Sequence, residues 1–121
     1  MSENTFDSMT QLRDALRDFA AERDWDQFHS PKNLAMALNV EAGELLEHFQ
    51  WLTEQASREL PEDTLGAVGA ELADVLIYLV RLADQLGIDL LRAAKAKIEL
   101  NARRYPADQV RGSSRKYHER P

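Results

Sequence analysis

The sequence contains no cysteine, which excludes a disulfide framework, a thiolate metal site and a cysteine nucleophile. A chain without cysteine is compatible with the reducing cytoplasm, which is the expected location. The N-terminal segment has neither a basic start nor an apolar core, so no signal peptide is predicted. No apolar run approaches the roughly 18 residues that suggest a membrane span, so no membrane partner is expected.

Basic charge is also in short supply. The 121 residues include 15 Lys and Arg against 21 Asp and Glu, a formal net charge of −6. This balance argues against binding of a nucleic acid polymer through a basic surface. The chain has five glycines and four prolines, and the alternation typical of strands is scarce. A single all-α domain with a small core is therefore predicted.

Apolar residues recur at helical spacing in four segments, which predicts a four-helix bundle. Ser30 and Pro31 suit a helix start, since serine caps and proline fits the first helical position. Gly87 suits a helix end, and Asp89 can cap the helix that follows. The predicted helices cover residues 9–23, 31–53, 90–104 and a third segment that starts between 61 and 65 and ends at 86.

The helical domain is predicted for residues 1–106, with a polar tail at 107–121. The third helix is apolar on nearly all sides over residues 72–80. Such a helix is either central in a large protein or covered by a partner chain. In a chain this short the second interpretation is better, which predicts an oligomer. Core-facing residues are predicted to include Leu12, Leu16 and Phe19 in the first helix and Leu90, Leu91 and Ile98 in the fourth.

Two acidic pairs, Glu41 with Glu44 and Glu71 with Asp74, interrupt otherwise apolar helical segments. A spacing of three places both carboxylates of a pair on one helical face. No lysine or arginine lies one turn away from Glu41, Glu71 or Asp74. Acids on apolar faces without a counter-charge are destabilising unless a cation binds. We therefore expect the two helices to face each other across a divalent metal site, although an isolated Glu-x-x-Glu is common on solvated helices.

Ligands that offer only oxygen suit Mg²⁺, Mn²⁺ or Ca²⁺. Mg²⁺ shares its shell with waters and substrate phosphates, which fits an open cleft and metal-assisted hydrolysis. A di-iron bundle would use Glu-x-x-His pairs, and no histidine here lies three residues after a glutamate. Glu47, three residues after Glu44, is either a further ligand, a base that orients water, or an exposed acid.

Aromatic side chains lie near these acids in the sequence. Trp25 and Phe28 occupy the first connector, Trp51 follows the first acidic pair, and Tyr78 comes one turn after Asp74. They either pack in the core or stack on a nucleobase. His29 either donates to a base or phosphate or makes a hydrogen bond at the helix entry.

Basic residues cluster late in the chain. Lys97, Asn101 and Arg104 approach one helical face, where they either hold a triphosphate or complement the helix dipole. Lys116, within the basic segment at 115–117, either belongs to the tail or closes over a ligand.

The sequence resembles the MazG-like all-α nucleotide pyrophosphohydrolases, and within them the dCTP pyrophosphatase branch. The resemblance extends from about residue 19 to residue 119. Two linked acidic motifs followed by the Asn101 and Arg104-Tyr-Pro106 element are its most specific part. One departure is Ala102, where relatives tend to continue a basic run. The segments that carry the resemblance are 19–29, 41–51, 71–80, 97–106 and 113–117.

The resemblance implies a MazG-like bundle that hydrolyses a nucleoside triphosphate, dCTP or a modified form of it, to the monophosphate and pyrophosphate. It implies housecleaning of the nucleotide pool by a homotetramer in which neighbouring chains complete the sites. The alternative is a non-catalytic module that binds nucleotide and metal, or a helical interaction module. For the pyrophosphohydrolase, the expected ligands of Mg²⁺, or of Mn²⁺ as a substitute, are Glu41, Glu44, Glu71 and Asp74. The expected catalytic residues are Glu41, Glu44 and Glu47. The expected substrate contacts are Trp25, Phe28, His29, Trp51, Tyr78, Lys97, Asn101 and Lys116.

Overall fold

The computed structural model describes residue 6 and residues 8–115 and 117–119. The chain divides into two compact units, Met1–Ile88 and Asp89–Pro121. Regular structure in the described residues is helical throughout, with no strand, so the all-α class is confirmed. The four-helix bundle and the domain limits of 1–106 and 107–121 stay predictions. No described helix has both the length and the apolar character that a membrane crossing requires.

The first unit contains four α-helices, of which α4 packs mainly against α2 and also against α1. A 3-10 turn, Asp26–Phe28, joins α1 to α2. The second unit contains two α-helices and a closing 3-10 turn, Tyr117–Glu119. The helices are α1 Met9–Glu22, α2 Pro31–Glu47, α3 Glu54–Ser57 and α4 Glu62–Leu86 in the first unit, and α5 Leu90–Arg104 and α6 Ala107–Val110 in the second.

The predicted caps are confirmed. The Ser30 hydroxyl accepts a hydrogen bond from the Asn33 amide at 3.2 Å, and the Asp89 carboxylate accepts one from the Arg92 amide at 3.0 Å. Gly87 ends α4 in the left-handed conformation, with φ of 69°, which glycine adopts without steric cost.

The predicted extension of α2 to residue 53 is wrong, because the helix ends at Glu47. The His48 and Phe49 amides bond to carbonyls three residues back, at 3.2 and 2.9 Å, and such bonds tighten the last turn. Thr53 then caps α3 through its hydroxyl, which accepts from the Ala56 amide at 3.0 Å. Backbone bonds therefore close α2 early, and a side-chain cap starts a short extra helix inside the expected connector.

The buried core is small, and several residues predicted to face it are exposed. Phe19, Leu91 and Ile98 have 45%, 62% and 68% of their surface exposed, so these three predictions are wrong for the single chain. Periodicity identifies an apolar face, but it does not say whether the same chain covers that face. The buried apolar residues are Ala20, Leu34, Val68, Val80 and Ala83.

Candidate metal centre and its surroundings

Three of the predicted metal ligands meet where α2 packs against α4. Glu41 and Glu44 lie one turn apart on α2, and Glu71 lies on α4. One carboxylate oxygen from each lies within 4.8 Å of the others. All three residues are partly buried, so their charges are incompletely screened by water. The packing of two helices thus converts two sequence-distant acidic motifs into one cluster.

Two oxygens of the cluster meet no hydrogen-bond donor among the described residues. Among the described residues, the Oε2 atoms of Glu41 and Glu71 are buried side-chain oxygens without a hydrogen-bond partner. The pKa of Glu41 is raised to about 7, first because its carboxyl shares a proton with Glu44, then because of burial and the nearness of Glu71. Buried unpaired carboxylates are costly. A hard divalent cation, which prefers oxygen ligands, fits this donor set.

Two further predicted acids, Asp74 and Glu47, lie outside the set of three converging carboxylates. Asp74 lies outside the set of three oxygens, but its charge contributes to the raised pKa of Glu41. Asp74 comes one turn after Glu71 on α4 and is partly buried. Glu47 is exposed at the end of α2, one turn after Glu44. Both positions are compatible with the predicted roles of ligand and of water-orienting base.

The connector that follows α1 is held by local hydrogen bonds. Asp24 adopts φ of 54°, a conformation that aspartate tolerates better than most residues. The Trp25 amide then donates to the Ala20 carbonyl at 2.9 Å, which closes α1 as a Schellman motif. At the other end, the Asn33 side-chain amide donates to the Phe28 carbonyl at 3.0 Å. The predicted base-binding segment therefore has a defined backbone.

Two aromatic rings of this segment, with Phe19 of α1, form a small cluster. Trp25 meets Phe19 edge to face, with ring centroids 5.7 Å apart, and the Trp25 and His29 rings are 6.3 Å apart. Phe28 has 59% of its surface exposed, so it does not pack in a core of the described chain. The connector thus offers accessible ring faces, as stacking on a base requires.

The other predicted aromatic contacts are more dispersed. Trp51 lies in the turn after α2 and is 87% exposed. Tyr78 lies on α4, one turn after Asp74, and is partly buried. Their assignment to a base pocket stays a prediction.

Arg81 is a buried charged residue, in contact with the predicted base-binding segment, that the sequence reasoning missed. It lies on α4 two turns after Asp74, and it is only 3% exposed. Its guanidinium donates to His29 Nδ1 from Nε at 3.3 Å and to Asp26 Oδ1 from Nη2 at 3.1 Å. The signal that could have found it is an arginine within an otherwise apolar run, at helical spacing from Asp74 and Tyr78.

Asp84 connects Arg81 to Arg17 on α1. Arg81 Nη1 lies 3.7 Å from Asp84 Oδ2, and Arg17 Nε donates to the same oxygen at 2.7 Å. A second Arg17 hydrogen bond reaches Asp84 Oδ1, so the pair has the two-pronged geometry that strengthens arginine–carboxylate contacts. The hydrogen bonds from Arg17, more than its charge, hold the pKa of Asp84 below its usual range.

The second unit carries the remaining predicted substrate contacts. Lys97 and Asn101 are exposed on α5, one helical turn apart. Lys116 lies outside the described residues. These three assignments stay predictions.

The sequence matches one known protein family over most of its length. The profile of the MazG-like family matches residues 36–119, a segment that contains most of α2, both acidic motifs and α5. The chain belongs to the MazG-like family. The resemblance predicted from the acidic motifs is therefore confirmed.

Relatives within the family point the same way. The chain is 48% identical to human dCTP pyrophosphatase 1 over 116 residues, which cover 94% of this chain and 68% of the relative. It is 44% identical to the bovine protein of that name, over 97% of this chain and 72% of the relative. A crystal structure of a pyrophosphatase from Archaeoglobus fulgidus superposes with a TM-score of 0.78 at 42% identity, covering 88% of this chain and 99% of the other.

Proposed function

We propose that this MazG-like protein is a metal-dependent nucleoside triphosphate pyrophosphohydrolase that converts dCTP, or a modified dCTP, and water to dCMP and pyrophosphate. The observation that carries the proposal is the convergence of the Glu41, Glu44 and Glu71 carboxylates with two buried oxygens that lack donors. The activity agrees with the names of the relatives in human and cattle. Its role would be to remove unwanted nucleotides from the cytoplasmic pool.

The three converging glutamates would hold the cation, and Asp74 would complete the set from the next turn of α4. Mg²⁺ is the proposed ion, with Mn²⁺ as a substitute, because every donor is a carboxylate oxygen. When bound, the ion would neutralise phosphate oxygens and lower the pKa of a coordinated water.

Glu47 is the proposed base, because its carboxylate is exposed one turn beyond Glu44. It would accept a proton from the water whose oxygen forms the new bond to the α-phosphorus. The bond between the α-phosphorus and the oxygen bridging to the β-phosphate breaks, and pyrophosphate leaves. Glu41 and Glu44 would contribute by holding the cation that neutralises the phosphates, since carboxylates by themselves repel phosphate oxygens.

The nucleobase would stack in the connector, where Trp25 and Phe28 are exposed. His29, Trp51 and Tyr78 would complete the base pocket. The assignment of Lys97, Asn101 and Lys116 to phosphate and sugar contacts rests on the family resemblance.

A homotetramer is the proposed assembly. Large apolar residues on α2 and α4 remain exposed in the chain, among them Val40 (57%), Leu46 (58%) and Leu72 (52%). Association of chains would bury such residues, as protein–protein interfaces do. Sedimentation of the purified protein would give the mass of the assembly directly.

The activity is tested by pyrophosphate release from a panel of nucleotides, with and without Mg²⁺. Wild type should release pyrophosphate from dCTP only with the metal, and Glu44→Gln should not. Glu62→Gln, an exposed acid in the first turn of α4, is the charge-matched control and should retain activity. Nucleotide binding without any pyrophosphate release would contradict the proposal and favour the non-catalytic module.

A further inference from the structure

Arg81 is the most buried charge of the described residues, and nothing in the metal chemistry uses it. Its side chain is 4% exposed and contacts three charged or polar partners. Asp26 and His29 come from the connector, Asp84 from α4 itself. An arginine buried to this degree normally has a structural or positioning task, since desolvating it is costly.

The contact with His29 determines which ring nitrogen carries the proton. Arg81 Nε and Nη2 lie 3.3 and 3.2 Å from His29 Nδ1. A guanidinium has five donors, no acceptor and a permanent charge. His29 Nδ1 must therefore accept, which leaves the proton of the neutral ring on Nε2.

We propose that Arg81 is a positioning residue that fixes His29 as the Nε2–H tautomer, so that the imidazole presents a hydrogen-bond donor to an acceptor atom of the nucleotide. The tautomer follows from the contacts of this chain alone. The identity of the acceptor rests on the proposed function.

The surroundings of His29 support a neutral ring. Burial first, and then the charge of Arg81, lower the pKa of His29, while Asp26 opposes them. Asp26 is 58% exposed at its side chain, so its opposing charge is partly screened. A protonated ring would also place an N–H of Nδ1 against the donors of Arg81.

The same arginine sets the distance between the connector and the carboxylates. Asp74 and Arg81 are seven residues apart on α4, which at 1.5 Å per residue is roughly 10 Å along the axis. Arg17 on α1 donates two hydrogen bonds to Asp84, and Asp84 lies beside Arg81. His29 is thereby held at a set height on the helix that carries Glu71 and Asp74.

The tautomer is measured by long-range ¹H–¹⁵N NMR of the full chain, which distinguishes protonated from unprotonated ring nitrogens. His29→Gln assigns the signals, since His48 and His118 remain. Wild-type His29 should show a protonated Nε2 and an unprotonated Nδ1. Arg81→Met, which removes the donors and keeps an unbranched chain, should give a ring that averages between tautomers, and Arg81→Lys should restore the wild-type signature.

Arg17→Gln is the matched control, because Arg17 contacts Asp84 and Asp14 but not His29. It removes one arginine from the same network and should leave the His29 signals in the wild-type pattern. Unfolding curves for each variant identify any that fail to fold. If Arg81→Met fails to fold, the wild-type spectrum still decides, because a protonated Nδ1 of His29 overturns the proposal.

The functional readout is the separation of KM from kcat for dCTP. Arg81→Met should raise KM about fivefold to tenfold, the size of one net hydrogen bond, with a smaller change in kcat. Competition by dCMP and by pyrophosphate identifies whether the lost acceptor belongs to the nucleoside half or to the phosphates.

A protonated Nδ1 in wild type, or an unchanged tautomer in Arg81→Met, would overturn the proposal. An averaged tautomer with unchanged KM would overturn the nucleotide-facing role. Failure of the proposed function looks different: the tautomer shifts as expected, yet wild type releases no pyrophosphate from any nucleotide.

Discussion

Two regions of α4 carry buried charge, and they treat it in opposite ways. Near the middle of the helix, Glu71 meets Glu41 and Glu44 with no donor for two of the carboxylate oxygens. About three to four turns later, Arg81 and Asp84 are each bound by charged or polar partners. Unpaired buried carboxylates cost free energy unless a cation binds, whereas the charges of the second region are satisfied by side chains of the chain itself. An unpaired buried charge is thus the better guide to a binding site.

The most severe way to test this comparison is to remove one unpaired carboxylate. Glu71→Gln should lower kcat/KM for dCTP by about 100-fold or more, which corresponds to ~2.7 kcal/mol. The free energy of unfolding without metal should stay unchanged or rise, because the substitution removes one of three neighbouring acidic groups. Enzyme kinetics and urea unfolding in a chelator check the two halves. A large loss of stability without metal would show that the cluster is structural.

Metal addition tests the same region without a substitution. Mg²⁺ at about 100 times its dissociation constant should stabilise the folded chain by ~2.7 kcal/mol. Thermal unfolding with and without Mg²⁺ measures the effect, and Glu71→Gln should abolish most of it. The variant Arg17→Gln should keep the response, since that side chain belongs to the paired region. An equal response in both variants would remove the distinction between the two regions.

The paired region should respond through stability. Arg81→Met removes the partner of Asp26 and His29 and should destabilise the chain by about 2 kcal/mol, less than for an isolated buried pair because Asp84 keeps Arg17. Urea unfolding with the chelator present gives the value. Unchanged stability would mean that the network contributes nothing to the fold.

The smallest effect is expected from pH. The pKa of Asp84 is lowered in the folded chain, first by its hydrogen bonds from Arg17, so the unfolded chain binds more protons in acid. This contribution to stability is present above the ordinary aspartate value of about 3.9 and is lost as pH falls through the lowered value. Urea unfolding between pH 7 and pH 3 should therefore show a shallower acid loss in Asp84→Asn and in Arg17→Gln. Equal slopes in all three proteins would contradict the linkage.

The acidic cluster and the helix caps were predictable from the sequence, whereas the contacts of Arg81 were not. Glu41, Glu44 and Glu71 were predictable because a spacing of three fixes the helical face and because neighbouring cations are missing. Asp89 and Gly87 were predictable because capping is local chemistry between residues near each other in the chain. Arg81 escaped because its partners lie 52 and 55 residues away, and no periodicity connects them.

The sequence by itself determined the all-α class, the caps of the long helices, the two acidic motifs and the family. These properties depend on contacts within a few residues or on motifs at fixed spacing. The tertiary structure decided where α2 ends, which apolar faces stay exposed and which three carboxylates converge. It also decided that one buried arginine orients the histidine of the connector. The convergence of the carboxylates and the contacts of the arginine depend on how α1, α2 and α4 pack, and packing brings together side chains whose separation along the chain carries no signal.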